Sequence, residues 1–244
     1  MPSLRRISAF ACCTRFRSGN TYRSAFTLAE LITAIFTLAA FTAAVVPAVA
    51  SFQRRSAQAA SMQNLHQWGA ALSLSLADGD DRLPLPGDAS HLGELRAWYN
   101  RLPPYIGEKT YANLLLQHPE QLRERPLWIN PGAPAHEAKS SPVRSAHFFY
   151  AMNRSLGSLD SDSFRVGELP HAETTLFMAE TNGASPACDL RDIRAYFGSG
   201  NPQNDPANSA NILFCDGHVE LLSRTEFTRA MGNESHAPRV ALSP

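Results

Sequence analysis

Residues 24–50 read S-A-F-T-L-A-E-L-I-T-A-I-F-T-L-A-A-F-T-A-A-V-V-P-A-V-A, and the organisation of the whole chain follows from this stretch. From Leu31 to Ala50 it holds no charged residue over 20 positions. A helix of that length covers about 30 Å of hydrocarbon, the thickness of a bilayer core. The flanks set its direction. Residues 1–25 carry Arg5, Arg6, Arg15, Arg17 and Arg23 and no acid. Five of the 22 basic residues thus precede the apolar run, leaving 17 against 22 acidic ones, although the formal net charge of the 244 residues is zero. Basic flanks stay on the cytoplasmic side, so the leader is expected in the cytoplasm and the acidic bulk beyond the membrane.

Glu30 interrupts the apolar character at the edge of the run. A carboxylate drawn into a bilayer is costly and is usually kept for a partner. One reading leaves Glu30 close enough to the boundary to reach headgroup water. The other follows if the chain is cut before Phe26. A new α-ammonium then appears four residues away, awkward to reach within one helix but natural to reach between neighbouring helices, whose stagger the pair would set.

The string Ala25-Phe26-Thr27-Leu28-Ala29-Glu30 resembles the processing site of type IV prepilins and type II secretion pseudopilins. The resemblance implies that a membrane prepilin peptidase and N-methyltransferase cuts before Phe26 and methylates it. It implies that Glu30, fifth in the trimmed chain, is needed for assembly. Pro47 falls where that family commonly has a helix-kinking proline, and proline does remove one helical hydrogen bond and crowd the preceding turn. The sequence departs from the family at Ala25, where glycine is usual. The implied protein is a structural subunit of a secretion-type or pilus-type fibre. Its partners are the peptidase, other subunits of a homo- or heteropolymer, and the inner membrane. A rival reading takes Ala48-Val49-Ala50 as the end of an ordinary secretory signal, releasing a soluble exported binding protein or enzyme and leaving Glu30 unexplained.

Beyond the apolar run, residues 51–78 favour helix, and Ala57, Met62, Leu65, Trp68, Leu72 and Leu76 recur as one apolar stripe. Asp78-Gly79 predicts its stop, with glycine in the left-handed cap position. Asp78-Gly79-Asp80-Asp81 misses the spacing of a calcium loop and reads as a solvated turn. Short helices are predicted at Glu94–Tyr99 and Tyr111–Gln117, separated by Leu102-Pro103-Pro104. Prolines at 119, 126, 131, 134 and 142 predict irregular chain. Strands are predicted at His147–Met152 and Thr174–Ala179. Asn211–Leu222 predicts a hairpin about Asp216-Gly217, in a type I′ turn. The expected fold is therefore α+β: a leader (1–25), the apolar half of a long helix (26–50), its amphipathic half (51–78), and a head (79–244) with a small antiparallel sheet laid on the helix.

The hairpin carries a second resemblance, to a carboxy-terminal processing-associated element of pseudopilin-like proteins, described as His, nine residues, then Asp-Gly. Asp216 and Gly217 match its end, while Pro206 stands where the histidine is expected. Arg96–Tyr105 and Phe149–Asn153 agree with such proteins in order.

Chemistry of other kinds finds little footing. Cys12 and Cys13 lie in the leader. Cys188 and Cys215 would meet an oxidising compartment, where two readings stay open, a disulfide or two separate small apolar residues. No C-x-x-C, H-E-x-x-H, nucleophile elbow or phosphate loop is present, so no catalytic residue, metal site or cofactor is expected. Basic residues after the leader are scattered and outnumbered, which argues against nucleic acid as a partner.

Overall fold

The computed structural model describes residues 27–79, 81–117, 125–131, 148–157, 163–183, 185–198 and 209–232. The leader with Cys12, Cys13, Ala25 and Phe26 lies outside them. So do Asp80, Pro119, Pro134, Pro142, His147 and Pro206. The chain divides into two compact units at Pro47.

Helix α1 spans Leu28–Asp78, with Pro47 inside it. Thr27 caps its start. The Thr27 backbone N–H donates to Glu30 Oε2 at 2.9 Å, and Glu30 N–H donates back to Thr27 Oγ1 at 3.3 Å. This reciprocal pair is a capping box, which satisfies two of the N–H groups a helix start leaves over. In the first unit the described part of α1 is exposed throughout, and Leu28, Phe36 and Phe41 are 76, 71 and 66% accessible. Its threonines bond to its own backbone: Thr33 Oγ1 to the Glu30 carbonyl, Thr37 Oγ1 to those of Thr33 and Ala34, Thr42 Oγ1 to that of Ala39.

In the second unit, α1 buries Ser61, Asn64, Leu65, Trp68, Gly69, Ala71, Leu72 and Ser75. This stripe is shifted from the predicted one. Ala57, Met62 and Leu76 are only half-buried, and small or polar residues take their place. The expected left-handed Gly79 is not found. Positive φ falls instead at Asp81 (59°), whose N–H donates to the Leu76 carbonyl at 3.2 Å.

The chain then runs through α2 (Trp98–Arg101), a 3-10 turn at Pro103–Ile106, α3 (Tyr111–Gln117) and a second 3-10 turn at Pro126–Trp128. The strands are β1 (Phe148–Asn153), β2 (Leu176–Gly183), β3 (Ala187–Cys188), β4 (Ser209–Phe214) and β5 (Val219–Ser223). Helices α4 (Leu190–Gly198) and α5 (Arg224–Gly232) complete the order. The sheet order is β3-β1-β2-β4-β5, antiparallel except for the short parallel pair β1/β3. The predicted long helix and small sheet are thus present, and the fold is α+β. Two cores flank the sheet. One gathers Leu65, Trp68 and Leu72 of α1 with Trp98, Tyr99, Tyr111, Trp128 and Phe148. Its rings meet mostly edge to face: Trp68 lies 5.3 Å from Trp98 and 5.1 Å from Trp128, an arrangement favoured by ring quadrupoles. The other joins Ile193, Tyr196 and Phe197 of α4 and Phe227 of α5 to Leu176, Ala179, Ile212 and Phe214.

The hairpin forms where predicted, with a different turn. The Gly217 N–H donates to the Phe214 carbonyl at 3.0 Å and the Phe214 N–H to the His218 carbonyl at 2.9 Å. Only Gly217, at φ 91°, is positive. This is the three-residue loop with glycine closing a bulge, not the two-residue type I′ turn.

Candidate functional site

Glu30 is the first candidate. Its carboxylate is exposed, and besides the Thr27 N–H it accepts a hydrogen bond from Thr27 Oγ1 at 2.9 Å. The cap holds the carboxylate at the helix start, and one oxygen, Oε1, has no described partner. From here to Val49 the exposed apolar side chains Leu31, Ile32, Ile35, Phe36, Leu38, Phe41, Val45, Val46 and Val49 follow without a charge. α1 is the one described helix long and apolar enough to cross a membrane. Pro47 sits near the end of that run, and its missing N–H leaves the Ala43 carbonyl without its helical donor.

Asp216 and Gly217 are brought together at the hairpin tip. Asp216 Oδ1 accepts from the His218 N–H at 3.1 Å and meets His218 Nδ1 at 2.6 Å, while the His218 ring stacks on Phe214 at 4.3 Å. These contacts order the turn. Among the described residues no group of histidine, cysteine, aspartate and glutamate has the arrangement of a metal site.

Cys188 and Cys215 are free and buried. They lie in different cores, and β1 and β2 stand between β3 and β4. Three strand spacings amount to about 14 Å, twice the Cα separation a disulfide tolerates. The reading as separate apolar residues is the one the geometry supports. Burial pushes both thiols well above the usual range, with Asp192 and Asp189 adding to the effect at Cys188 and Asp216 at Cys215.

Sequence reasoning missed a fourth feature, the buried Glu180 of β2. Tyr150 is its register partner on β1, and Asn211 stands beside it on β4. Facing this row, α1 presents Gln58, Ser61 and Asn64, one turn apart. Glu180 Oε1 hydrogen-bonds Ser61 Oγ and accepts from Asn211 Nδ2 (3.0 Å). Oε2 accepts from the Asn211 N–H (2.9 Å) and from the Tyr196 hydroxyl (3.2 Å). Asn64 Nδ2 donates to the carbonyls of Pro126 (2.7 Å) and Ile129 (3.2 Å), and Asn211 Nδ2 to that of Gln58 (3.3 Å). Burial raises the Glu180 carboxyl above the ordinary carboxylate range, against the lowering effect of its donors. The glycine-free, proline-free segment 51–68 hinted at a packed helix, but nothing in T-T-L-F-M-A-E-T marks its glutamate as buried.

The geometry defines an α+β protein with a long N-terminal helix, apolar enough in its first half to cross a membrane, and a small five-stranded sheet. No protein-family model, no curated protein and no solved structure matches the chain.

Proposed function

We propose that this chain is a structural subunit of a type II secretion or type IV pilus-like fibre. It is inserted in the inner membrane with its N-terminus cytoplasmic and its head periplasmic. Prepilin peptidase cuts between Ala25 and Phe26 and methylates the new terminus. The subunit then leaves the bilayer for the fibre, where the apolar half of α1 packs against the same segment of its neighbours. The observation that carries this reading is the pairing of an uncharged, exposed apolar helix surface with a single carboxylate fixed at its start by Thr27. A free ammonium on Phe26 of a neighbouring subunit is a fitting partner for Glu30, because both charges are costly in lipid and cancel when joined. The scheme asks for no catalytic constellation and no cofactor in the head.

Mass spectrometry of the mature amino terminus tests it. A chain beginning at methylated Phe26 supports a fibre subunit. One beginning at Ser51 assigns the protein to soluble export, and one retaining Met1 leaves it a simple membrane anchor.

A further inference from the structure

Glu180 lies wholly inside the second unit, and among the described residues no lysine, arginine or histidine ion-pairs with it. Three contacts leave it in a line. Ser61 Oγ hydrogen-bonds Glu180 Oε1, Ser61 Oγ lies 2.9 Å from the Tyr150 hydroxyl, and that hydroxyl lies 3.4 Å from the Ile129 carbonyl. Each contact requires one proton. The Ser61 and Tyr150 hydroxyls supply two, and a carbonyl supplies none. Asn64 Nδ2 also donates to the Tyr150 hydroxyl oxygen at 3.1 Å and so adds no proton to the line. Each of its three contacts has a proton of its own only when the carboxyl brings the third.

The remaining donors agree with a carboxylic acid. Protonated on Oε1, Glu180 donates to Ser61 and accepts there from Asn211 Nδ2. Oε2 remains a pure acceptor for the Asn211 N–H and Tyr196. The elements around it offer no compensating charge. α1 presents Gln58, Ser61 and Asn64, β1 presents Tyr150, β4 presents Asn211, and α4 presents Tyr196. Arg191 and Arg194 of α4, and Asp189 before it, are exposed, while Asp192 borders Cys188 instead. In the segment before β1, Arg125 is paired with Glu108, and Asn130 donates to the Tyr196 hydroxyl at 3.1 Å. Burial, the largest cause, pushes Tyr150 up as well, so its phenol keeps its proton.

We propose that Glu180, Ser61 and Tyr150 form a proton site that clasps residues 58–64 of α1 to the sheet, closed when the carboxyl is protonated and loosened when it ionises. On ionisation the proton leaves Oε1 for solvent water. The Ser61 hydroxyl turns from Tyr150 to the carboxylate, and the Tyr150 hydroxyl turns from the Ile129 carbonyl to Ser61. No bond other than O–H breaks. An uncompensated charge then lies under α1, and one contact of the line is lost. A head facing the periplasm would thereby feel the acidity of the medium.

The test uses the full chain in detergent micelles, with infrared spectra and denaturant unfolding followed across pH. At neutral pH the folded protein should show the carbonyl stretch of a protonated carboxylic acid, and Glu180→Gln should lack it. A proton held more tightly by the folded form stabilises it fully below the ordinary glutamate value of about 4.3, and this is lost as pH rises through the raised value. The unfolding midpoint should therefore fall with rising pH relative to Glu180→Gln. Tyr150→Phe removes the acceptor of the Ser61 proton, so it should shift both the band's disappearance and the fall in midpoint to lower pH. A neutral-pH spectrum with no Glu180-dependent band overturns the proposal. So does a midpoint that rises with pH relative to Glu180→Gln. Where Glu180→Gln does not fold, an unmoved midpoint in Tyr150→Phe decides against it.

Discussion

The Gly217 carbonyl rests on Gly69: a Cβ at residue 69 would come 2.8 Å from that oxygen and 3.0 Å from Leu213 Cδ1. The hairpin tip is therefore seated on α1 through the absence of a side chain. Elsewhere in a helix, Gly→Ala is worth up to about 1 kcal/mol of added stability. Here Gly69→Ala should act in the opposite sense, costing about 1–3 kcal/mol as the backbone oxygen is pushed away. Denaturant unfolding of the purified chain measures the sign directly, and a stabilised variant would contradict the close approach.

Glu30 has two separable duties, a cap and a charge. Glu30→Gln keeps an oxygen for the Thr27 N–H and removes the charge, whereas Glu30→Ala removes both. If the charge pairs with a neighbouring terminus, both variants should insert normally and both should fail to assemble into fibres. Assembly retained by Glu30→Gln and lost by Glu30→Ala would place the importance of this residue in the cap alone. Membrane fractionation and sheared-fibre recovery distinguish these outcomes.

Cys188 and Cys215 should behave as inert core residues. Iodoacetamide should leave both unmodified in the folded chain and label both in denaturant, and migration on gels should not change with reductant. Serine at either position should cost about 1–3 kcal/mol, by placing a hydroxyl in an apolar site. A shift in migration specific to the Cys188/Cys215 pair would contradict the strand order.

Tyr99 predicts behaviour at the alkaline end. Burial is the main cause that pushes its phenol up to about 12, and its hydroxyl donates to the carbonyls of His91 (3.1 Å) and Asp88 (3.3 Å). A proton bound more tightly in the folded state contributes stability that is full below the ordinary tyrosine value of about 10 and is lost as pH rises toward the raised one. Wild-type protein should weaken across that interval. Tyr99→Phe should be flatter there and about 1 kcal/mol less stable at neutral pH, from the lost hydrogen bonding. Phenolate absorbance and unfolding midpoints check both statements.

How much of this was legible depended on the length of each signal. The uncharged run from Leu31 to Ala50 announced its helix by length alone, and α3 lies where Tyr111–Gln117 was expected. β1, β2 and the hairpin strands were found within a few residues because aromatic and branched side chains cluster there. β3 is two residues long and carries no periodicity to read. The short helix expected at Glu94–Tyr99 begins later, at Trp98, because Glu94 instead turns its carboxylate to the Arg96 N–H. Helices α4 and α5 were overlooked although their starts are written plainly. Asp189 and Asp192 exchange side-chain bonds with each other's N–H groups, as do Ser223 and Glu226. The same device opens α1 at Thr27-x-x-Glu30, so one four-residue pattern marks three helix starts. Glu180 was beyond reach for a different reason. Its partners come from residues 61, 196 and 211, and no local window contains them.

The hydroxyls of Thr33, Thr37 and Thr42 spend their protons on carbonyls one turn earlier. Moving this surface from an oily solvent onto another helix is therefore isodesmic in hydrogen bonds: none is broken and none is created. The threonines thus add no polar toll at a lipid boundary, beyond the carbonyl that Pro47 leaves over at Ala43, and no polar key for choosing a neighbour. In the proposed fibre, registration along the axis would then fall to the one charge at its end and to the shapes of Phe36 and Phe41.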